Sequence, residues 1–184
     1  MEQEEKMELW DLYTKDRGGT GKTMVRGAKH PKGLYRLVVH VCIFNSRGEM
    51  LIQRRQLTKF GWPGLWDVTA SGSAIAGETS SVAAEREVRE ELGVTIPFTD
   101  LRPALTIHFP EGFGDVYLIE RDLDIDALTL QAEEVMGAKW ASESEIMEML
   151  SRGEFIPYVK DFVGLLFYLR NHATLHTAPD LTRE

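Results

Sequence analysis

The chain has few of the features that mark secreted and membrane proteins. Its 184 residues include a single cysteine, Cys42, and no apolar run of roughly eighteen residues, the length that crosses a bilayer. A lone cysteine cannot form an internal disulfide, and Cys42 lies in an apolar stretch that favours a small buried side chain over a nucleophile. The first residues, Met1–Glu5, are acidic where a secretory signal is basic. These absences predict a cytoplasmic protein that does not enter a membrane.

Positive charge is also scarce, with 21 Lys and Arg against 29 Asp and Glu and a net charge of −8. Nucleic-acid polymers are bound through a basic face that releases counterions, so such a polymer is not the expected partner. The charge is unevenly spread: residues 15–36 hold seven bases and one acid, whereas residues 111–148 hold eleven acids and two bases. This segregation indicates either two solvated faces of opposite sign or a basic lip that meets an anionic substrate.

A glycine-rich stretch at Gly18–Thr23, GGTGKT, looks like part of a phosphate-binding P-loop. The P-loop pattern requires a glycine where this chain has Asp16, and it requires a buried strand before the loop and a helix after it. The residues from Lys29 to Gly33 leave no room for a long helix. We therefore interpret the stretch as a hairpin turn on a polar surface.

Strand and helix patterns alternate along the rest of the chain. Runs rich in β-branched and aromatic residues predict strands, and apolar residues at helical spacing predict helices. The predicted strands are 34–44, 49–55, 65–71, 105–109 and 116–120, and the predicted helices are about 79–92, 142–151 and 157–171. Thr79 or Ser80 is expected to cap the first helix, and Gly93 to end it. This order predicts an α/β fold with helices available for both faces of a sheet.

One segment near the middle of the chain, GSAIAGETSSVAAEREVREELGV, carries the most chemical information. On its helix, Glu87, Glu90 and Glu91 stand at i, i+3 and i+4 and crowd one face. Arg86 and Arg89 are expected on the other side of the helix, unable to reach between the three carboxylates. A hard divalent cation relieves such repulsion, because Mg²⁺ binds carboxylate oxygens. The helix therefore predicts either a metal site or a solvated acidic face.

The fixed residues of this segment match a known signature in full. They are Gly72, Glu78, Arg86, Glu87, Val88, Glu90, Glu91, Gly93 and Val94, nine specified positions in a 23-residue window. The segment resembles the signature of the Nudix hydrolases, and the surrounding order of elements is similar to the Nudix α/β/α sandwich with a mixed β-sheet. The resemblance implies one Nudix domain over 1–184, made of an amino-terminal arm or hairpin (1–33), a catalytic core (34–172) and a tail (173–184).

The resemblance also implies roles for these residues. The metal ligands would be Glu87, Glu90, Glu91 and the carbonyl of Gly72, binding Mg²⁺ or Mn²⁺. Glu78 and Arg86 would pair and brace the loop against the helix. The implied chemistry is attack of a metal-activated water on a diphosphate bridge, for which the metal neutralises the phosphate oxygens.

One carboxylate must accept the proton of that water. Glu90 is the first choice, with Asp115 and Glu134 as alternatives. Arg54, Arg55 and Asp115 are the candidates for substrate binding. Period-two alternation turns one of the two arginines inward, where its guanidinium could clamp a phosphate.

The stretch from Phe44 to Gly72 resembles the isopentenyl-diphosphate isomerase branch of the superfamily more closely. Those isomerases use a cysteine just before the Nudix glycine, and metal-binding histidines after it and upstream. The corresponding positions here hold Ser71, Ser73 and, at about the upstream position, Arg36, while the partner acid is at best Asp115. A serine hydroxyl is too weak an acid or base for that proton transfer. Hydrolysis is therefore predicted, with an isomerase-like enzyme or a non-catalytic Nudix ligand-sensing module as alternatives.

The predicted substrate is a small molecule with a diphosphate linkage, in a nucleoside diphosphate derivative or a nucleoside triphosphate. Specificity in the superfamily lies in loops outside the signature, here 62–66, 110–115 and the amino-terminal arm. Dimers are common in the superfamily, so a homodimer is one option for the assembly.

Overall fold

The computed structural model describes residues 8–172. The acidic first residues and the tail at 173–184 lie outside this range. The strands are β1 (Leu9–Tyr13), β2 (Gly19–Val25), β3 (Arg36–Phe44), β4 (Met50–Arg55), β5 (Trp66–Asp67), β6 (Ala70–Ser73), β7 (Leu105–Phe109), β8 (Gly112–Glu120) and β9 (Val135–Ala141). The helices are α1 (Ser80–Leu92), α2 (Glu143–Arg152) and α3 (Lys160–Asn171), with a 3₁₀ turn at Ile125–Ala127.

The strands form a separate hairpin and one larger sheet. β1 and β2 pair antiparallel as the hairpin, and the other seven strands make up the sheet. β3 lies at its centre, parallel to β8 and antiparallel to β4 and β6. β4 also pairs antiparallel with β5 and β9, and β7 pairs antiparallel with β8. The sheet is therefore mixed, as the resemblance implies.

Alternation of side chains along β3 divides the core between the two faces of the sheet. Val39 and Val41 are buried in an apolar cluster that includes the inward side of α1. Cys42 and Phe44 are buried in a second cluster that includes residues of α2 and α3. Helices cover both faces, so the protein is an α/β/α sandwich. Burial raises the pKa of the Cys42 thiol well above its ordinary value, as suits a small core side chain.

Helix α1 begins and ends where the sequence predicts. Thr79 Oγ1 accepts a hydrogen bond from the Val82 amide at 3.3 Å, which caps the helix. Gly93 ends it with a left-handed φ of 70°, a conformation that favours glycine. Among the side chains that pack this helix onto the sheet are Ala84 and Val88, both fully buried. The capped and packed helix fixes the direction of its acidic face.

The turn between β7 and β8 is shorter than predicted, because β8 begins at Gly112 rather than at Val116. A Cβ on Gly112 would overlap the Arg36 carbonyl of the neighbouring strand. The glycine in this stretch therefore permits close packing between strands, where the sequence suggested a loop.

Other boundaries also differ from the sequence pattern. The predicted strand at 65–71 is two short strands, β5 and β6, which pair with different neighbours. The last helix begins at Lys160 rather than at Pro157. The predicted strands do not include β1, β2 or β9. β1 and β2 pair with each other, and β9 pairs with β4.

The glycine-rich stretch at Gly18–Thr23 belongs to the β1–β2 hairpin, but its residues from Gly19 onward lie on strand β2 rather than in the predicted turn. Within the described residues no helix follows β2 before β3, so the stretch is not a P-loop. Lys22 lies on β2, pairs with Leu12 across the hairpin and is exposed. The hairpin is attached to the core, because the Ala76 amide donates to the Leu9 carbonyl at 2.8 Å. It therefore lies beside the loop that precedes α1. No helix among residues 8–172 has the length and apolar character needed to span a bilayer.

Candidate active site

Strand β6 brings Gly72 against Glu87, the first carboxylate of the acidic helix. A Cβ on Gly72 would overlap the Glu87 carboxylate, so a larger residue at this position would displace that side chain. Ser71, Gly72 and Ser73 line the same cavity as Glu87. The spacing of the motif thus places the Gly72 backbone beside the Glu87 carboxylate.

Arg86 ties the loop before α1 to the helix. Its Nε and Nη2 donate to the two oxygens of Glu78 at 2.8 and 3.0 Å, and Nη2 also donates to the Ser73 carbonyl at 3.0 Å. Glu78 accepts a further hydrogen bond from the Ile75 amide at 2.9 Å. Both members of the Arg86–Glu78 pair are largely buried, with 12% and 16% of their side chains exposed. The structure therefore contains the bracing ion pair that the resemblance implies.

Arg86 also contacts the acidic face of the helix. Its Nη1 donates to Glu87 Oε1 at 2.8 Å and to Glu90 Oε2 at 3.0 Å. The expectation that Arg86 cannot reach between the carboxylates was wrong, because Arg86 and Glu90 are i and i+4 and so are neighbours on the helix surface. Burial disfavours its charge, but the carboxylates of Glu78 and Glu87 raise the pKa of Arg86 above its ordinary value.

Glu91 is the most deeply buried carboxylate of the helix, with 4% of the residue exposed. Burial, then the charges of Glu87 and Asp67, raise the pKa of Glu91 well above its ordinary range. Burial also raises the pKa of Glu87, although Arg86 opposes this effect. The hydrogen bond from the Ser71 amide to Glu91 is long, at 3.4 Å. Buried carboxylates in contact with each other are costly without positive charge.

A hard divalent cation fits this donor set. Carboxylate and carbonyl oxygens are the ligands that Mg²⁺ takes in proteins, and Mn²⁺ suits the same oxygens. In residues 8–172, no three acidic, histidine or cysteine side chains are already grouped as a metal cage. The Arg86 guanidinium instead holds one oxygen of Glu87 and one of Glu90.

The acidic face of α1 lines a cavity of about 420 Å³. Basic side chains from three other parts of the chain line the same cavity: Arg26, Arg36, Arg55 and Lys59. A space walled by both carboxylates and guanidinium groups suits a ligand that carries phosphates together with a cation.

Arg36 is held at the cavity wall by one hydrogen bond and by two aromatic rings. Its Nη1 donates to Ser73 Oγ at 2.6 Å, and the guanidinium stacks on Trp10 at 4.7 Å and on Phe109 at 5.5 Å. Burial lowers the pKa of Arg36, and Glu111 opposes this only in part. A desolvated guanidinium at a cavity wall is well placed to bind a phosphate.

Arg55 is the inward member of the predicted arginine pair. It donates to the Gly61 carbonyl at 2.9 Å and forms an ion pair with Asp67 at 3.4 Å. Arg54 is exposed, donates to the Gly64 carbonyl at 3.0 Å and does not line the cavity. Alternation along β4 thus separates the two arginines, as expected from the sequence.

The structure places Asp115 away from the residues that line the cavity. Arg17 of the hairpin binds both of its oxygens, at 2.9 and 2.8 Å, and Thr106 donates to it at 2.6 Å. Asp115 is thus held in a buried structural pair and not grouped with Arg55. Glu134 does line the cavity, where it forms an ion pair with Lys59.

The sequence did not indicate that Trp10 and Lys59 line the cavity, or that Asp67 is the partner of Arg55. Asp67 is buried and accepts a hydrogen bond from Tyr158 Oη at 2.9 Å in addition to its contact with Arg55. None of these residues belongs to a local motif. The excess of positive charge at 15–36 was the signal in the sequence for Arg26, and the comparison with the isomerase branch gave a second one for Arg36.

An α/β/α sandwich with this loop and acidic helix is a Nudix-type domain. The family model for the NUDIX domain matches residues 34–159. An uncharacterized Nudix hydrolase of Listeria monocytogenes is 50% identical over 170 residues, which cover 92% of this chain and 99% of that protein. The chain belongs to the Nudix hydrolase family.

Two further similarities agree with this assignment. A crystal structure of a protein from Deinococcus radiodurans superimposes with a TM-score of 0.70 and 25% identity, over 86% of this chain and 97% of that one. An isopentenyl-diphosphate Delta-isomerase of Ruegeria pomeroyi is 32% identical over 161 residues, 83% of this chain and 85% of that protein. The resemblance to the isomerase branch therefore extends well beyond the signature.

Proposed function

We propose that this Nudix hydrolase cleaves a diphosphate linkage in a small molecule, either a nucleoside diphosphate derivative or a nucleoside triphosphate, with the help of Mg²⁺ or Mn²⁺. One observation carries the proposal: the acidic face of α1 and the guanidinium groups of Arg36 and Arg55 line a single cavity. Phosphates need both kinds of group, because their charge must be neutralised and their oxygens must be held in place.

The acidic face would hold the cation. Its ligands would be Glu87, Glu90, Glu91 and the carbonyl of Gly72. When bound, the cation would neutralise phosphate oxygens and lower the pKa of a water. Glu87 and Glu90 would release their hydrogen bonds with Arg86, which would keep its place through the bonds to Glu78 and Ser73.

The remaining residues of the cavity would position the substrate and accept a proton. Arg36 and Arg55 would bind phosphate oxygens of the diphosphate. Glu90 would accept the proton of the attacking water, since 45% of its side chain is exposed and can pass the proton on to solvent. Glu134 is less suited to that role because Lys59 already binds its carboxylate.

A turnover assay tests the proposal. The purified protein is incubated with nucleoside triphosphates, sugar nucleotides and dinucleotides in the presence of Mg²⁺, Mn²⁺ or a chelator, and the released phosphates and nucleotides are measured. We expect metal-dependent cleavage of at least one class, and a loss of about a hundredfold or more in the Glu90→Gln variant. Glu133→Gln is the matched control, because Glu133 is exposed and lies outside the cavity. No turnover of any diphosphate would favour the ligand-sensing alternative.

A further inference from the structure

Asp67 is a buried carboxylate that the proposed function does not use. It lies on β5 with 1% of its surface exposed, and it does not line the cavity. Asp67 is paired with Gln53 across β4 and β5, and Arg55 follows Gln53 on the same face of β4. An ionised carboxylate in a protein interior costs free energy unless partners compensate its charge. The partners of Asp67 therefore indicate what it does.

The two oxygens of Asp67 have different partners. Oδ1 accepts hydrogen bonds from the Val68 amide at 2.8 Å and from Tyr158 Oη at 2.9 Å. Oδ2 lies 3.4 Å from Arg55 Nη1 and 3.4 Å from Ser71 Oγ, and both of these residues line the cavity. The bonds to Oδ1 thus fix the plane of the carboxylate, and Oδ2 is turned toward the wall of the cavity.

The segment between α2 and α3 holds Tyr158 in place. The Trp66 amide donates to the Glu154 carbonyl at 2.9 Å, and the Ile156 amide donates to the Trp66 carbonyl at 2.8 Å, so this segment is bonded along β5. Burial, and then the charge of Asp67, raise the pKa of the Tyr158 hydroxyl well above its ordinary value. The hydroxyl therefore keeps its proton and is a donor to Asp67.

The Arg55 guanidinium is restrained at two of its three nitrogens. Nε donates to the Gly61 carbonyl at 2.9 Å, and Nη1 faces Asp67. Nη2 makes no hydrogen bond within residues 8–172, and 14% of the side chain is exposed. The protein thus holds one edge of the guanidinium and leaves a donor for a ligand in the cavity.

We propose that Asp67 and Tyr158 are positioning residues that hold the Arg55 guanidinium in the orientation that binds a phosphate oxygen of the diphosphate. Tyr158 orients the carboxylate, and the carboxylate orients the guanidinium. Buried ion pairs generally give a fold no more stability than well-packed apolar side chains do, so stability alone does not explain the pair. Without Asp67, Arg55 is free to turn toward the carboxylates of α1 in the same cavity. The inference rests on the proposed function, because it takes Arg55 to bind phosphate.

A double-mutant cycle tests the inference by isothermal titration of the full chain with methylenediphosphonate in Mg²⁺. We expect Arg55→Met to weaken binding by about tenfold, the effect of losing a charge-assisted hydrogen bond, and Asp67→Asn to weaken it by about fivefold. In the Arg55→Met background, Asp67→Asn should change the affinity by less than about twofold, because Asp67 acts through Arg55. Additive effects, tighter binding in Asp67→Asn, or no binding to the wild-type protein would overturn the inference.

Tyr158→Phe removes a hydroxyl and no charge, so it separates orientation from electrostatics and serves as the test if Asp67→Asn does not fold. It should weaken binding of methylenediphosphonate by about threefold, and by less than about twofold when Arg55 is already replaced by Met. Tyr117→Phe is the matched control and should bind as the wild-type protein does. Tyr117 is also buried and donates to a side chain, Ser80 Oγ at 2.9 Å, but it does not line the cavity. An unchanged affinity in a folded Tyr158→Phe variant would overturn the inference.

Methylenediphosphonate is not hydrolysed, so the two proposals fail separately. The expected coupling between Asp67 and Arg55 in a protein that cleaves no diphosphate would refute the proposed function and leave the positioning of Arg55 standing. Metal-dependent cleavage together with additive effects of the two substitutions would refute the positioning role and leave the proposed function standing.

Discussion

Arg36, at the start of β3, donates a hydrogen bond of 2.6 Å to Ser73 Oγ on β6. By the resemblance to the isomerase branch, these two positions hold metal-binding histidines in those enzymes. The pair places a guanidinium at this corner of the cavity, and a guanidinium repels a metal ion and attracts a phosphate. The isomerase metal site therefore has no counterpart at this pair.

The first prediction concerns isomerisation. The wild-type protein should not convert isopentenyl diphosphate to dimethylallyl diphosphate, because Ser71 stands at the position of the essential cysteine. The Ser71→Cys/Ser73→His double variant should not catalyse this isomerisation either, since Arg36 still occupies the upstream ligand position. Proton exchange and product formation are followed by NMR. Detectable conversion by the wild-type protein would show that the hydrolase assignment of the site is incomplete.

The second prediction concerns the acidic face of α1. Glu91→Gln should leave the stability of the metal-free protein unchanged or raise it by some tenths of a kcal/mol, about the scale of one like-charge pair on a helix. The same change should remove most of the extra stability gained on adding Mg²⁺ or Mn²⁺, because a cation that binds only the folded state stabilises it. Turnover should drop by about a hundredfold or more.

Thermal melts with and without metal provide the measurement for Glu91→Gln. Glu133→Gln, on an exposed residue outside the cavity, should show the same metal-induced shift as the wild-type protein. Equal metal-induced shifts in the wild-type protein and in Glu91→Gln would mean that the metal binds elsewhere. A solvated acidic face would give no metal dependence in any of the three proteins.

The third prediction concerns the glycine-rich stretch of the hairpin. Lys22→Ala should change turnover by less than about tenfold, because Lys22 is exposed on β2 and does not line the cavity. Arg36→Ala, by contrast, should lower kcat/KM by more than tenfold, since Arg36 is proposed to bind phosphate. Steady-state kinetics on the same substrate compare the two variants. A loss of about a hundredfold in Lys22→Ala would show that this stretch reaches the substrate after all.

The fourth prediction concerns the ion pair between the hairpin and β8. Arg17→Met would leave Asp115 buried without its partner and should destabilise the protein by about 1–2 kcal/mol, a value discounted because 41% of the Arg17 side chain is exposed. Lys15→Met, at an exposed position of the same hairpin, should change the free energy of unfolding little. Urea denaturation measures both free energies of unfolding. Equal stabilities of the two variants would mean that the pair contributes nothing.

The same pair has a defined pH dependence. Burial opposes ionisation of Asp115, but hydrogen bonds from Arg17 and Thr106 outweigh it and lower the pKa of Asp115 below its ordinary value of 3.8. A lowered pKa in the folded state means that the carboxylate stabilises the fold fully above pH 3.8, and that this contribution is lost as the pH falls through the folded value. The stability difference between wild type and Arg17→Met should therefore be largest at neutral pH and shrink in acid. A stability difference that stays constant down to pH 3 would show that it does not come from the ionised Asp115 carboxylate.

The local parts of the site could be predicted from the sequence. Glu87, Glu90 and Glu91 share a face because helical geometry alone sets the positions of i, i+3 and i+4. Thr79 and Gly93 mark the helix ends for equally local reasons, a side-chain cap and a left-handed φ. The error about Arg86 was also local, since its i, i+4 relation to Glu90 was already present in the sequence.

Only the tertiary structure decided which distant residues pair with each other and which share a cavity with the acidic face. Arg17 and Asp115 are 98 positions apart, and Tyr158 and Asp67 are 91 apart, so no local spacing relates them. Their meeting depends on the register of β8 against β3 and on where the β1–β2 hairpin docks, and both are set by the burial of side chains from many elements at once. The sequence by itself determined a helix that presents three carboxylates. The packing of the hairpin and the sheet around that helix determined that Arg26, Arg36, Arg55 and Lys59 share a cavity with it.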